Sequence, residues 1–209
     1  MYFALLLIVA YLIGSIPTSI IAGKVTRGID IREHGSGNPG ATNTFRVLGK
    51  KIGITVGLID IFKGFFAVFF LPSLMPGDTF ASEDIRRLSA GLAAVAGHMW
   101  TVFAGFRGGK GVGTSFGVII GLVPLASVVT LAAWCILTFS TGYVSLGSIV
   151  AAAVLPVAIV VEGILGDGFS VPVLVVATVL ALLVIFRHRS NIGRLFRGEE
   201  NRFGKRGAS

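Results

Sequence analysis

The stretch VGTSFGVIIGLVPLASVVTLAAWCILTF, Val112–Phe139, decides how the chain is organised. It is apolar almost throughout and longer than the roughly 20 residues with which one helix crosses a bilayer. Pro124 lies near its middle, and a proline inside a helix removes a hydrogen bond and clashes with the preceding turn. The stretch therefore predicts two helices, Val112–Val123 and Leu125–Phe139. Because the first is short, it must be buried by its neighbours or lie where the bilayer is thinned.

Further apolar blocks lie on both sides of this stretch. Backbone groups in lipid must pair within their own segment, so each block predicts a membrane-spanning helix. Of the 209 residues, 54% are hydrophobic and only 13% are charged, whereas soluble domains carry about 25% charged residues. The composition excludes an ordinary soluble domain and predicts an all-α, polytopic membrane helix bundle. The further blocks are Tyr2–Ala22, Ile52–Leu71, Leu88–Phe106, Tyr143–Val161 and Val171–Phe186.

The basic residues predict the orientation of this bundle. Most of the 18 lysines and arginines lie between the first two blocks, at 107–110, or after Phe186, and loops rich in these residues face the cytoplasm. The acidic connection Glu162–Gly168 is expected outside. An even number of crossings must then separate Lys110 from Arg187, and the split at Pro124 provides it. We predict seven helices with the N-terminus outside and the C-terminus cytoplasmic; five helices, with one late block in the interface, are the alternative.

The loop Asp30–Arg46 combines glycines with small polar side chains. Gly35, Gly37 and Gly40 allow positive φ angles, and such turns can point successive N–H groups into an anion-binding concavity. Arg46 adds a planar charged fork. The alternative is an ordinary polar turn before a helix. The neutral donors of the loop are Ser36, Asn38, Thr42 and Asn43.

A second glycine-rich run follows the third block. Lys110 lies among Gly108, Gly109 and Gly111, just before a predicted helix. A helix N-terminus favours anions through its free N–H groups and its dipole. The run lacks the spacing of a nucleotide-binding P-loop. Arg107 alone is typical of a cytoplasmic anchor, whereas a lysine among glycines indicates phosphate binding.

Polar residues elsewhere are more ambiguous. His188 and Asn191 share a face if the last helix continues through them. Asp60 and Lys63 can pair within a membrane span, where charges are functional candidates, although a structural ion pair is the alternative. His98, expected near the middle of its span, predicts a structural hydrogen bond. Ser145 and Ser148 are expected either to face the same pocket as the polar cytoplasmic loops or to form hydrogen bonds within their own helix.

Three runs together resemble the motifs of one family. They are GSGNPGATN (Gly35–Asn43) with Arg46, GFRGGKGVGT (Gly105–Thr114), and HRSNIGRL (His188–Leu195) with Gly198 and Glu199. They resemble the bacterial acyl-phosphate:glycerol-3-phosphate acyltransferases, the PlsY family, in the same order and from the first helix to about Glu199. The resemblance implies acyl transfer from acyl phosphate to glycerol 3-phosphate, giving lysophosphatidic acid and phosphate for phospholipid synthesis. It also implies a seven-helix protein of the bacterial inner membrane.

The resemblance assigns roles by position. The expected catalytic set is Ser36, Arg46, Lys110, His188 and Asn191, and Glu199 matches a structural position. No histidine has an aspartate at the spacing of the soluble-type acyltransferases, so a substrate phosphate oxygen is the candidate base. The residues expected to bind phosphate are Gly35, Gly37, Asn38, Gly40, Thr42, Asn43, Arg107, Gly108, Gly109 and Gly111.

These expectations leave two other functions open. A transporter of phosphorylated metabolites needs the same basic loops together with a polar path across the membrane. A non-catalytic scaffold for anionic lipids needs binding alone. We predict a single domain over 1–200 with a tail over 201–209, contact with membrane lipid, no nucleic-acid partner, no metal and no cofactor. The single cysteine, Cys135, excludes a disulfide within the chain.

Overall fold

The computed structural model describes residues 1–76, 81–166 and 168–202, and the regular structure in these ranges is helical. The all-α prediction is therefore confirmed. Short 3₁₀ turns cover Ile31–Glu33 and Val102–Ala104. The α-helices in chain order are α1 Tyr2–Ser15, α2 Thr18–Arg27, α3 Ala41–Leu48, α4 Lys50–Phe69, α5 Leu71–Leu74, α6 Glu83–Met99, α7 Val112–Leu122, α8 Pro124–Thr141, α9 Val144–Leu165, α10 Val171–Arg187 and α11 Arg189–Phe196.

Several of these helices have the length and composition of membrane spans. In the part of the chain that the structure describes, the four that qualify outright are Tyr2–Arg27, which contains α1 and α2, together with α4, α8 and α9. The pair α10 and α11, bent by 55°, adds a fifth if it is one span. Helix α7 is apolar but shorter. Every predicted block contains a helix, but length alone supports fewer spans than seven.

The predicted break at Pro124 is confirmed. Helix α7 ends at Leu122, Val123 leaves the helical region with φ −141° and ψ 73°, and Pro124 is the first residue of α8. Proline suits this position because its missing N–H would have no helical partner there. The chain divides at the same break into two compact units, Met1–Leu122 and Val123–Ser209.

The predicted block Leu88–Phe106 is wrong at both ends. Helix α6 begins earlier because the Ser82 side chain accepts from the Ile85 N–H, and acidic residues fill the first turn. It ends at Met99 and is followed by a 3₁₀ turn. His98 therefore lies in the last turn of α6 and not near mid-span.

Glycines allow close helix packing in the first unit. A Cβ added at Gly64 of α4 would lie 2.1 Å from the Thr114 carbonyl oxygen, and one at Gly117 of α7 would lie 1.9 Å from that of Ile61. Small residues at helix contacts let backbones approach in membrane proteins. Since α7 directly follows the second glycine-rich run, this contact fixes the end of that run to α4.

We expect Gly117→Ala to lower the thermal stability of the detergent-purified protein, at a cost of about 1–3 kcal/mol typical of overpacking. Its added methyl group would collide with the backbone of α4 at Ile61, which cannot shift without moving the helix. Gly121→Ala in the same helix is the matched control. There the nearest atom, 3.3 Å away, belongs to the Val68 side chain, so its melting temperature should fall less. Equal losses would argue against close α4–α7 packing.

Two adjacent arginines near the start of α6 bond to the ends of other helices. Arg86, which is 9% exposed, donates to the carbonyl oxygens of Pro72 and Met75 at 2.7 and 2.8 Å. Arg87 donates to the carbonyls of Val68 and Gly121 at 3.3 and 3.1 Å. Cations at helix C-termini satisfy carbonyls that have no helical partner. Both arginines therefore stabilise helix ends.

In the second unit, α8 and α9 form a helical hairpin. Gly142 ends α8 with φ 78°, and the next helix starts at Val144. At the far end of the hairpin, the Ala126 N–H donates to the Glu162 carboxylate at 3.1 Å. Trp134 Nε1 donates to Ser148 Oγ at 3.2 Å, and that hydroxyl donates to the Val144 carbonyl at 2.8 Å. Ser148 thus bonds within the hairpin, as in the alternative interpretation.

Candidate active site

The loop before α3 is shaped by Asn43, which is 1% exposed. Its Oδ1 accepts from the Ser36 N–H at 2.8 Å, and its Nδ2 donates to the carbonyls of His34 and Ile31 at 2.9 and 3.2 Å. Both polar ends of this amide are thus used within the loop. A buried amide bonded to three backbone groups fixes the loop's shape.

The glycines of this loop differ in conformation. Gly35 and Gly37 have φ angles of 62° and 71°, so the expected positive φ is confirmed for both. Gly40 is extended, with φ −147°, and a Cβ there would lie 2.9 Å from the Asn38 amide nitrogen. Gly40 therefore serves close approach at the start of α3 and not a left-handed turn.

Unlike Asn43, three other polar residues of this stretch lie at or near its surface. Ser36 is exposed, and Thr42 lies half-buried in the first turn of α3. Arg46 is exposed in the last turn of the same short helix. These residues are accessible to a small anionic ligand from outside the unit.

An ion pair ties the loop to the segment before the second motif. Arg32 Nη2 lies 2.7 Å from Asp30 Oδ2, and Arg32 Nη1 donates to the Ala104 carbonyl at 3.1 Å. The Arg32 guanidinium, which donates to the carboxylate, lowers the pKa of Asp30 to about 2. Asp30 is therefore ionised at neutral pH and holds Arg32 in place.

The second motif folds back onto the end of α6. We call Gly108–Gly113 the glycine segment. The Gly108 N–H donates to the Met99 carbonyl at 3.2 Å and the Gly109 N–H to that of His98 at 3.1 Å. A Cβ at Gly109 would lie 2.3 Å from His98 Nε2 and 3.0 Å from the Pro39 carbonyl oxygen. The first two motifs therefore meet at Gly109, and only a glycine fits there.

Other residues of the glycine segment complete this surface. Gly111 has φ 80°, and a Cβ there would lie 2.3 Å from the Met99 side chain. Lys110, between Gly109 and Gly111, is half-buried, while Arg107 is exposed. Helix α7 starts at Val112, so its N-terminal N–H groups follow directly. The arrangement suits an anion at backbone N–H groups beside one lysine.

A buried ionic cluster lies behind this surface. The expected pairing of Asp60 with Lys63 is confirmed, with 2.9 Å between Oδ1 and Nζ. Thr18 Oγ1 donates to the same oxygen at 2.6 Å, and His98 Nδ1 lies 3.6 Å from it. A small chamber beside the cluster offers room for about one water molecule. Its lining includes Ser15, Thr18, Ser19, His98, Gly108 and Gly109.

The third motif lies in the second unit at a helix break. Helix α10 ends at Arg187, and His188 separates it from α11. His188 and Asn191 are both buried, at 3% and 5% exposure. The condition under which they would share a face, that the last helix continues through both, is not met, because the backbone bends by 55° between α10 and α11. His188 Nδ1 lies 2.8 Å from the Val184 carbonyl, which only accepts, so this nitrogen carries the ring proton.

A carboxylate that the sequence did not single out organises this motif. Glu200 Oε1 accepts from Ser145 Oγ at 2.9 Å and from Asn191 Nδ2 at 2.7 Å, and its Oε2 accepts from Arg194 Nε at 2.8 Å. Glu199 is exposed and pairs only with Arg197 among the contacts that the structure describes. The structural position assigned to Glu199 therefore belongs to Glu200. Two adjacent acids after a glycine give no sequence signal to separate them.

The predicted tail is only partly described. Arg202 Nε donates to the Tyr143 hydroxyl at 3.1 Å, and its guanidinium lies 5.2 Å from that ring's centroid. The start of the predicted tail thus packs on the hairpin turn. Residues 203–209 lie outside the described part. Within the described ranges, no group of three or more His, Cys, Asp or Glu side chains is placed to hold a metal ion.

Comparisons with known proteins agree with these motifs. A family model described as glycerol-3-phosphate acyltransferase matches residues 4–198. The glycerol-3-phosphate acyltransferase of Chlorobaculum parvum is 43% identical over 98% of each chain. That of Chlorobium chlorochromatii is 41% identical, covering 96% of this chain and 97% of its own.

Two crystal structures show the same fold. Both are of PlsY (YgiH), an integral membrane glycerol 3-phosphate acyltransferase. The glycerol 3-phosphate form has a TM-score of 0.86 at 41% identity, covering 97% of this chain and 96% of that one. The lysophosphatidic acid form has a TM-score of 0.83 at 40% identity, covering 97% and 95%. The chain therefore belongs to the glycerol-3-phosphate acyltransferase family of integral membrane proteins.

Proposed function

We propose that this membrane acyltransferase transfers a fatty acyl group from acyl phosphate to glycerol 3-phosphate, giving lysophosphatidic acid and phosphate. The observation that carries the proposal is the meeting of the first loop with the glycine segment at Gly109. Lys110 and the N-terminal N–H groups of α7 follow directly after this contact. Both substrates carry phosphate, which such a surface binds.

The side chains divide into holding and orienting groups. Lys110, Arg46 and the N-terminal N–H groups of α7 hold phosphates, with Arg107 at the edge. The Gly108 and Gly109 N–H groups, expected to bind phosphate, instead donate to the carbonyls of Met99 and His98 and shape the segment. By the family resemblance, Ser36 in the first unit and His188 and Asn191 in the second are the substrate-orienting residues. Since Nδ1 of His188 carries the ring proton, its Nε2 is an acceptor in the neutral ring and suits a substrate hydroxyl. Asn43 shapes the first loop, and Ser145 belongs to the Glu200 network.

The reaction needs little from the protein beyond position and charge. A glycerol phosphate hydroxyl oxygen bonds to the acyl carbonyl carbon, and the bond from that carbon to the phosphate oxygen breaks. The hydroxyl proton passes to a phosphate oxygen, which leaves as part of inorganic phosphate. The donor is already activated, so catalysis rests on alignment and on stabilising negative charge as it develops.

Purified protein in detergent tests this function directly. With acyl phosphate and glycerol 3-phosphate, we expect lysophosphatidic acid and phosphate to appear in equal amounts. A coenzyme A thioester offered as the donor should give no product. Product from the thioester alone would overturn the donor assignment. Because detergent removes compartments, product formation also excludes a pure transporter or a scaffold.

We further propose seven crossings of the bacterial inner membrane, an outside N-terminus, and an active site that faces the cytoplasm. The positive-inside pattern supports this topology, as does the helix found in each predicted block. Cysteines introduced at Ser36 and Arg197, both exposed, should react with an impermeant thiol reagent in inverted vesicles only. A cysteine at Glu83 should react only in right-side-out cells. Ser36 and Arg197 on opposite sides would overturn the topology.

A further inference from the structure

One buried carboxylate has no part in the proposed chemistry. Asp60, which is 3% exposed, lies in α4 and faces donors from three helices. Thr18 is the first residue of α2, Lys63 lies one turn along α4, and His98 lies in the last turn of α6. A buried charge in a membrane span is costly and is kept where it has a use.

The Asp60–Lys63 pair holds a broken helix. Helix α1 ends at Ser15 and α2 begins at Thr18, which leaves backbone groups at the break without helical partners. Lys63 Nζ donates to the Ile16 carbonyl at 3.1 Å, and Asp60 accepts from the Thr18 hydroxyl. The pair thus binds both ends of the break.

The same carboxylate also supports the glycine segment from two sides. His98, whose Nδ1 faces Asp60 at 3.6 Å, contacts Gly109 through its ring and accepts the Gly109 N–H at its carbonyl. At the other end of the segment, a Cβ at Gly113 would lie 3.3 Å from the Asp60 Cβ. Both ends of the glycine segment therefore lie against Asp60 or the ring beside it.

We propose that Asp60 is a positioning residue that fixes the glycine segment for phosphate binding, with Lys63 as its counter-charge and His98 as the contact between them and Gly109. Asp60 acts through His98 and α7 and does not touch substrate. The proposal rests on the phosphate-binding function proposed above for the glycine segment. A positioning role differs from that of a purely structural ion pair in one measurable way. Substrate binding should remain impaired after the stability of the protein has been restored.

The decisive variant is the double substitution Asp60→Asn with Lys63→Met. Asp60→Asn alone leaves the Lys63 charge uncompensated, so the melting temperature should fall. Removing both charges should recover most of the melting temperature, because a buried pair can be replaced together at little cost; the remaining loss comes from the Ile16 carbonyl, which no longer has Lys63 as a donor. The KM for glycerol 3-phosphate or for acyl phosphate should stay raised about tenfold, and amide hydrogen exchange in the glycine segment should stay faster. A double variant with wild-type KM values and exchange would overturn the proposal.

His98→Leu provides a second test that keeps the ion pair. It should raise the same KM and quicken exchange in the glycine segment while the melting temperature changes little. Unchanged exchange and KM in this variant would also overturn the proposal, even if the double variant failed to fold.

Arg86→Gln is the matched control. It removes a buried charge at the opposite end of α6, so it should lower the melting temperature and leave both KM values and exchange in the glycine segment unchanged. A comparable rise in KM would assign the Asp60 effect to general instability and overturn the proposal. Failure of the phosphate-binding function itself is distinguishable, because Lys110→Met would then leave KM unchanged while the exchange measurement still reports on Asp60.

Discussion

Lys110→Met is expected to lower kcat/KM by about 10²–10³-fold, the loss typical of removing one preorganised charge-stabilising donor. Lys110 lies between two buried glycines, two residues before α7 begins, so its ammonium group is held close to the N-terminus of that helix. Methionine keeps the length of the side chain and removes only the ammonium group. Steady-state kinetics of the detergent-purified enzyme, together with its melting temperature, measure the effect.

Lys51→Met is the matched control for Lys110→Met. Lys51 is exposed in the first turn of α4, in the same unit, and its loss changes the net charge equally. Its kcat/KM should stay near wild type. Lys110→Arg restores the charge but not the compact shape of the ammonium, so its activity should lie between the two. If Lys110→Met retained wild-type kcat/KM with both substrates, the glycine segment could not be the phosphate site proposed.

Prolines show how far the sequence could predict the fold. Pro124 ends one helix and starts another, as its place in an overlong apolar stretch predicts. Pro17 breaks the first block in the same way, although that block has the length of one span and gave no reason to divide it. Pro156 lies inside α9 without ending it. In a membrane, neighbouring groups can satisfy the backbone groups that a proline leaves without a helical partner. A proline alone therefore does not show where a helix ends.

The span predicted from hydropathy is wrong where apolar residues continue past the end of a helix. Val102, Phe103 and Phe106 lie beyond the end of α6 and are 41% to 60% exposed. Hydropathy does not distinguish these residues from helical ones, so the predicted block extends to Phe106. The end of the helix depends instead on tertiary contacts, namely the Gly108 and Gly109 N–H groups bonding to the carbonyls of Met99 and His98.

The sequence indicates candidate motif residues but not the groups that they contact. The glycine and basic residue types indicate phosphate binding directly, and the ion pair of Asp60 with Lys63 follows from helical spacing. Nothing local shows that Asn43 bonds back to Ser36, or that His98 reaches Asp60 from another helix. The first contact depends on how the loop folds and the second on how two helices pack, and composition and spacing encode neither.

Glu200→Gln is expected to lower kcat about 10²-fold, the effect of misplacing a reacting group by roughly 1 Å. The Glu200 carboxylate offers two acceptor oxygens to donors from Ser145, Asn191 and Arg194. A glutamine offers one oxygen, so its NH₂ group must face at least one of these donors. It also removes the counter-charge of Arg194 at a buried carboxylate, which should lower the melting temperature.

Glu199→Gln makes the same change one residue away, where the side chain is 57% exposed and paired only with Arg197 in the described structure. Its kcat and melting temperature should remain near wild type, and equal losses in both variants would contradict the role given to Glu200. A double-mutant cycle with Asn191→Leu then separates positioning from simple support. If Glu200 acts by orienting Asn191, the second substitution adds little to the first, because both remove the same interaction. Additive losses in kcat would mean that Glu200 stabilises the third motif without setting the position of Asn191.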